Sequence, residues 1–193
     1  MANLIYVTNM SLDGYIEDER GAFAWMPMDD EVFVLCTDLL RPVGTFLYGR
    51  RLYEAMAVWE TDAALAAQSD LMADFASTWQ AASKVVYSTT LSAVSTADTR
   101  LERRFDPAAV KELKATASSD LTVGGADLAT QAFTAGLVDE CHLLVWPVVV
   151  GGGKPGLPTG TRTDLELLAE RRFRNGVVHL HYRVLDSARQ PTA

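Results

Sequence analysis

The sequence predicts a single α/β domain whose central sheet is mainly parallel and finishes in an antiparallel hairpin. Three observations carry this reading. Strand-like and helix-like segments alternate along most of the 193 residues, the pattern that joins parallel strands through crossover helices. Glycines stand where strands hand over to helices, at Gly49 and at Gly124-Gly125. Near the end, two alternating runs flank Asn175-Gly176, a dipeptide suited to a two-residue hairpin turn because both of its positions tolerate positive φ.

Taken in order, NLIYVTNM packs β-branched and aromatic residues into a short run and reads as a buried strand, with Asp13 and Gly14 turning the chain after it. From Asp29 to Leu40, acids come first, apolar residues follow at helical spacing (Val32, Leu35, Cys36, Leu39), and Pro42 closes the helix. TFLYG is a short strand ending on Gly49, and RRLYEAMAVW after it is helix-like. Ala63 to Ala82 is Ala-rich and reads as helix, KVVYS as strand, and PAAVKELKATA as a helix opened by Asp106 and Pro107. LTVGG, ADLATQAFTAG and VDECHLLVWPVVVG then give a strand, a helix with Gly136 as C-cap, and a long apolar strand. Residues 1–186 are expected to form the one domain and 187–193 a frayed tail.

Composition narrows the function. A hydrophobic share of 49% with 22% charged residues is that of a globular chain. The net charge of -8 opposes approach to a phosphate backbone, and the basic residues form no tract that outweighs it, so nucleic acid is excluded as a partner. Cys36 and Cys141 lie in apolar runs and read as reduced thiols, which predicts a cytoplasmic protein. No run approaches the roughly 18 apolar residues of a membrane span, and the N-terminus lacks the basic-then-apolar order of an export signal; neither membrane nor export is expected.

The candidate chemistry lies at strand ends. In LTVGGADLATQAF, Gly124 and Gly125 let a backbone come close to a ligand while the first helical N–H groups, from Ala126 through Leu128 with Asp127 between them, point outward and suit a phosphate. The spacing is not GxGxxG, so the standard Rossmann fingerprint is absent. Gly49, Arg50 and Arg51 form a second junction; positive charge there opposes the helix dipole and so asks for an anionic partner. Ser88, Thr89 and Thr90 follow a third strand with hydroxyls suited to a ribose phosphate. Each site alone reads equally well as a tight turn, a solvated basic helix start or a polar turn. Three together at the carboxyl ends of parallel strands, where open α/β sheets bind ligands, point to a dinucleotide.

Other motifs carry less. In GGGKPG, Pro155 stands where a phosphate-binding P-loop needs Ser or Thr, and no helix pattern follows. His179 and His181 share one strand face, but no Cys or carboxylate cluster of metal spacing accompanies them in sequence, so a surface or interface role is expected and no metal.

The block GGADLATQAFTAGLVDECHLLVWPVVVGGGKPGLP, with SLDGYIE near the start and YGRRLYE in the middle, resembles the dihydrofolate reductase-like family that includes the reductase domain of bacterial riboflavin biosynthesis. The resemblance spans nearly the whole chain. It implies a three-layer fold around about eight strands, NADPH as hydride donor, a small-molecule substrate and a homodimer. It also implies that Gly124 to Gln131 cradle the cofactor phosphates, that Arg50, Arg51 and Ser88 to Thr90 face the adenosine end, and that Asp13 to Ile16 lie near the nicotinamide. Within that last stretch Asp13 and Tyr15 would meet substrate and Ile16 the cofactor.

The nearest named activity is reduction of 5-amino-6-(5-phosphoribosylamino)uracil. Two positions depart from it: Tyr15 stands where such reductases usually have the lysine of SLDGK, and Val123 where a glutamate precedes the glycine turn. The D-x-P-x-L-x-x-R stretch that follows in that group is also missing after YGRR. Apolar replacements leave the polar groups of a phosphoribosyl substrate without partners. A likeness to true dihydrofolate reductase puts Asp29, Asp30 and Glu31 of WMPMDDE near that enzyme's carboxylate and makes Asp30 the candidate proton relay, although acids also suit any first helical turn. A non-catalytic nucleotide-binding dimer is the third reading.

Overall fold

In the computed structural model, residues 1–185 are described; the tail predicted at 187–193 lies outside them. The elements run β1 (Leu4–Ser11), β2 (Tyr15–Glu17), α1 (Asp30–Leu40), β3 (Val43–Gly49), α2 (Arg50–Met56), α3 (Val58–Thr61), α4 (Ala63–Ala66), α5 (Asp70–Ala81), β4 (Ser83–Tyr87) and β5 (Thr99–Glu102). They continue with α6 (Pro107–Thr116), β6 (Asp120–Gly124), α7 (Ala126–Thr134), β7 (Glu140–Trp146), β8 (Lys154–Pro155), β9 (Asp164–Arg172) and β10 (Val178–Leu185).

Eight strands form the main sheet in the order β5-β4-β3-β6-β1-β7-β10-β9. The first six are mutually parallel, and β10 and β9 complete the sheet as the antiparallel hairpin. Gly176, at φ 89°, makes the hairpin turn. Because side chains alternate across a strand, the two faces bury different sets. Leu4, Tyr6, Leu47, Val123 and Leu143 pack with Leu128, Ala132 and Phe133 of α7 and Val110 of α6. On the opposite face Phe46, Tyr48 and Val86 pack with Tyr53 of α2 and with Phe75 and Trp79 of α5. Farther along that face, Val32 of α1 lies against Leu144 and Trp146. Helices on both sides of a mainly parallel sheet make the three layers.

The helix expected over Ala63 to Ala82 is two helices. Ser69 interrupts it and caps α5, its Oγ accepting from the Met72 N–H at 3.2 Å. The long strand expected through Gly151 stops at Trp146, because Pro147 follows and has no N–H to give the ladder. Two further features were not expected: the edge strand β5, with the polar sequence TRLE, and a separate two-stranded sheet that pairs β2 with β8. Among the described residues no helix is long and apolar enough to cross a membrane.

Candidate functional site

The carboxyl ends of β3, β4 and β6 lie side by side, with Tyr48 level with Gly124 and Gly49 level with Tyr87. Each glycine there has a stated reason. A Cβ on Gly124 would collide with Leu52 Cδ2 and come within 3.0 Å of the Tyr48 ring. Gly125 sits at φ 92°, where other residues are strained, with the Gly49 backbone within 4 Å. Small size thus lets α2 and α7 begin close together on adjacent strands.

Both helices begin without a side-chain cap, at Gly49 for α2 and at Gly125 for α7. The first N–H groups of a helix have no partner inside it, so α7 presents open donors and the positive end of its dipole to the space above the sheet. That space is a cleft of about 740 Å³.

The three predicted junctions meet in this one cleft: Gly49, Arg50, Arg51, Ser88, Thr89, Thr90, Gly125, Ala126, Asp127 and Leu128 all line it. Gly124 lies directly below, packed between Tyr48 and Leu52. Gln131, expected beside the cofactor phosphates, lines it as well; sequence reasoning missed Leu52, Tyr87, Arg103, Arg104, Phe105 and Lys154, which complete the lining. The available signal was the Arg103-Arg104 pair just past TRLE, which only becomes a strand-end junction once β5 is recognised. Lys154 belongs to the GGGKPG segment, which the fold carries back across the chain to α7.

Five cationic side chains therefore face one carboxylate, Asp127, in a chain of net charge -8. Their engagements differ. Arg50 donates to Thr90 Oγ1 at 2.7 Å and pairs with Glu54 at 3.3 Å. Arg103 donates to the carbonyls of Ser88 and Leu91 at 3.2 and 2.6 Å. Ser88 is buried and accepts from the N–H groups of Thr90 and Leu91 at 3.2 and 2.9 Å, so its hydroxyl builds the turn. Lys154 pairs with Asp127 at 2.7 Å, bringing the loop around β8 against the start of α7. The guanidinium groups of Arg51 and Arg104, both exposed residues, make no hydrogen bond or ion pair with any described residue. Tyr87 and Phe105 meet edge-on, with ring centroids 5.4 Å apart; burial pushes the Tyr87 phenol up to about 12, so it is neutral near pH 7.

The other predicted residues lie outside this lining. Asp13 accepts from the N–H groups of Val150 and Gly151 at 3.1 and 2.8 Å. Hydrogen bonding from Ser11, and then from those amides, holds its carboxyl below the usual range. Its carboxylate thus tethers the glycine loop to the end of β1. Tyr15 donates its N–H to Ser11 Oγ at 2.9 Å and pairs with Pro155 across the small sheet. Ile16 is half-buried beside Gly156, whose carbonyl accepts from Tyr6 Oη at 2.5 Å. Among the acids of WMPMDDE, Asp29 caps α1 by accepting from Val32 N–H at 3.0 Å, and Glu31 pairs with Arg171 at 3.0 Å. Asp30 is exposed on the first turn of α1 and is not brought into the cleft. Val123, 1% exposed, is sealed in the core with Tyr6 and Leu47.

A cationic cleft at the carboxyl ends of parallel strands, floored by glycine-led helix starts, defines an open α/β protein whose cleft has the charge and open donors that suit an anion. The chain belongs to the RibD C-terminal domain family, whose model matches residues 2–179. It is 32% identical over 180 residues to the uncharacterized protein YyaP of Bacillus subtilis, covering 90% of each chain. Among solved structures it resembles a putative riboflavin biosynthesis protein from Shewanella sp. PV-4, with TM-score 0.74 and 21% identity over 96% of this chain and 100% of that one. It also resembles a pyrimidine reductase-like protein from Corynebacterium diphtheriae, with TM-score 0.64 and 15% identity over 96% and 93%. A third is the diaminohydroxyphosphoribosylaminopyrimidine deaminase/5-amino-6-(5-phosphoribosylamino)uracil reductase of Thermotoga maritima, at TM-score 0.61 and 13% identity over 95% and 57%. These solved structures share the fold over 95–96% of this chain.

Proposed function

We propose that the protein is an NADPH-dependent oxidoreductase that transfers a hydride to a small heterocyclic acceptor. The nearest named activity is reduction of 5-amino-6-(5-phosphoribosylamino)uracil. The observation that carries this reading is the meeting of an uncapped helix start at Gly125 with two unengaged guanidiniums, Arg51 and Arg104, in one cleft.

The residues present fit the cofactor. The amides at the start of α7 suit its diphosphate. Arg51 and Arg104 present planar donor forks matched to the adenosine 2′-phosphate, and the edge-on Tyr87–Phe105 pair offers an apolar wall for the purine. Bound NADPH supplies the hydride; the chain's part is to bind, orient and exclude water. The end of β1 near Asp13, Tyr15 and Ile16 then flanks the nicotinamide side, with the Asp13 tether fixing the loop that covers it. Family membership supports a reductase, as do the pyrimidine reductase-like and uracil reductase structures of the same fold. Tyr15 and the sealed Val123 favour an acceptor less polar than a phosphoribosyl pyrimidine.

The test is a fluorescence titration with NADPH and NADH, followed by NADPH oxidation against a panel of pyrimidines, pterins and related heterocycles. NADPH is expected to bind about 10-fold or more tighter than NADH, since one charge-assisted contact is worth roughly 1.5–3 kcal/mol. Oxidation is expected with at least one heterocycle. No saturable NADPH binding overturns the reading, and binding with no acceptor reduced across the panel converts it to the non-catalytic one. Turnover with dihydrofolate that is lost in Asp30→Asn supports the dihydrofolate reductase alternative.

A further inference from the structure

All three histidines of the chain, His142, His179 and His181, meet on one face of the sheet, far from the cleft in strand order. Sequence spacing offered only His179 and His181, two residues apart with no Cys or carboxylate cluster of metal spacing beside them. The fold supplies the rest. His142 is the cross-strand partner of His181 between β7 and β10, and Glu140, two residues before His142, lies on the same face. Cross-strand pairs and i, i+2 neighbours are the two closest relationships on a sheet face, and here both are occupied by groups with lone pairs.

We propose that Glu140, His142 and His181 form a binding site for a divalent transition-metal cation of the zinc class, with His179 orienting His142 from behind. One ligand atom from each of the three lies within 4.8 Å of the others. His181 Nε2 and Glu140 Oε2 are 2.8 Å apart, sharing a proton position that a cation replaces by a small spreading of the pair. The rings of His142 and His181 stack 4.0 Å apart and 15° from parallel, which keeps the two imidazoles side by side on the sheet face. His142 Nδ1 is 2.9 Å from His179 Nε2. With Nδ1 as donor, this bond fixes the His142 tautomer that leaves Nε2 as the free lone pair, as the hydrogen bond behind a metal-bound histidine usually does.

The donor set selects the ion. Two imidazoles and one carboxylate suit Zn²⁺, Co²⁺ or Ni²⁺, whereas Mg²⁺ and Ca²⁺ require oxygen ligands. Three protein ligands leave a position open for water or another donor. Glu140 and His181 are partly exposed and His142 is buried, so the ion has a path from solvent and a walled side. In the sheet, β6 and β1 separate β3 from β7, and Glu140 opens β7 at the end opposite to the strand ends that form the cleft. The site is therefore separate from the proposed cofactor cleft, and its test does not depend on that reading.

The experiment is calorimetric titration of the full chain, purified without a histidine tag, with Zn²⁺, and titration with Co²⁺ followed by its visible absorption. One Zn²⁺ per chain is expected, with no Mg²⁺ binding, and Co²⁺ is expected to give a spectrum of nitrogen and oxygen ligation that equimolar Zn²⁺ erases. His179→Ala should weaken Zn²⁺ binding about 10- to 100-fold, and His181→Ala and Glu140→Gln by more than loss of that supporting contact. Thermal unfolding verifies that each variant is folded. Unchanged Zn²⁺ affinity in folded His181→Ala, or a wild-type chain with no saturable Zn²⁺ or Co²⁺ signal, overturns the proposal. The Co²⁺ measurement needs no variant and decides the matter if the substitutions prevent folding.

Discussion

The helices of this protein begin in two different ways. α1, α4, α5 and α6 open on Asp29, Asp62, Ser69 and Asp106, whose side chains accept from the first helical N–H groups. α2 and α7 open on Gly49 and Gly125, which have no side chain to give. A cap of the first kind stabilises a helix by about 1 kcal/mol, so its absence is a cost unless something else meets those donors. α3 also lacks a side-chain cap, but it only carries on from the end of α2 at Ala57; the two uncapped starts that open on glycine are the two that face the cleft. The fold satisfies most helix ends with its own side chains and leaves the two glycine-led starts open where they face the cleft.

The largest effect expected from breaking this distinction comes from supplying α7 with its own acid. Gly125→Asp puts a carboxylate where a phosphate would sit and a side chain at φ 92°. NADPH affinity is expected to fall about 100-fold or more, from loss of contacts worth roughly 1.5–3 kcal/mol each together with added repulsion. Gly125→Ala separates the causes: backbone strain alone should cost about 1–3 kcal/mol of stability with a smaller loss of affinity. Titration and urea unfolding of both variants read the two quantities independently. Equal affinities for wild type and Gly125→Asp would mean that α7 does not hold the cofactor.

Next in size are the unengaged arginines. Arg51→Ala and Arg104→Ala are each expected to raise KM for NADPH about 10- to 100-fold, the range of one charge-assisted contact, with kcat little changed because binding rather than chemistry is lost. NADH should be nearly indifferent to both. Arg50 and Arg103 are a contrast within the same rim: they brace the loop after β4, so Arg103→Ala should lower stability as well as affinity. Steady-state kinetics with both cofactors distinguish the two pairs.

How much of this was visible beforehand follows from whether the cause was local. Gly49 and Gly124-Gly125 betray two strand-to-helix junctions within a few residues, and Ser88 to Thr90 mark a third strand end, so these three sites and the order of the core elements could be read from the chain. The hairpin at Asn175-Gly176 was equally local. β5 escaped because TRLE is a polar edge strand with little apolar alternation, and with it went Arg103 and Arg104. Ser69 looked like one polar residue in an Ala-rich helix, but its hydroxyl ends one helix and begins another. Lys154 and Asp127 are 27 residues apart, and His142 is 37 residues from its hydrogen-bond partner His179; sheet order joins them, and spacing does not show it. Asp13 and Asp30 read as chemical groups by likeness, whereas the structure gives Asp13 the amides of a loop and leaves Asp30 exposed outside the cleft.

The capped side of the comparison makes smaller and opposite demands. Asp106→Ala, which removes the acceptor for Ala108 N–H at 2.9 Å, is expected to cost about 1 kcal/mol of stability and to leave NADPH affinity unchanged. A loss of affinity there would mean that the starts of α6 and α7 act together.

The smallest effect is expected at the other end of α1, where Arg41 donates to both oxygens of Asp74 on α5 at 3.2 and 2.8 Å. Hydrogen bonding from Arg41 holds the Asp74 carboxyl below its ordinary value. A carboxylate with a lowered folded pKa contributes stability that is present above its unfolded pKa and is lost as pH falls through the folded value. The pair is exposed to solvent and screened by salt, so its share is small. Asp74→Asn should therefore lower stability slightly near pH 7, by less than Asp106→Ala, and the difference from wild type should vanish in strong acid. Urea midpoints measured for both proteins at neutral and acidic pH check this. A difference that persists in acid would assign the effect to packing between α1 and α5, and the charge pair would then add nothing to a helix already fixed by its cap.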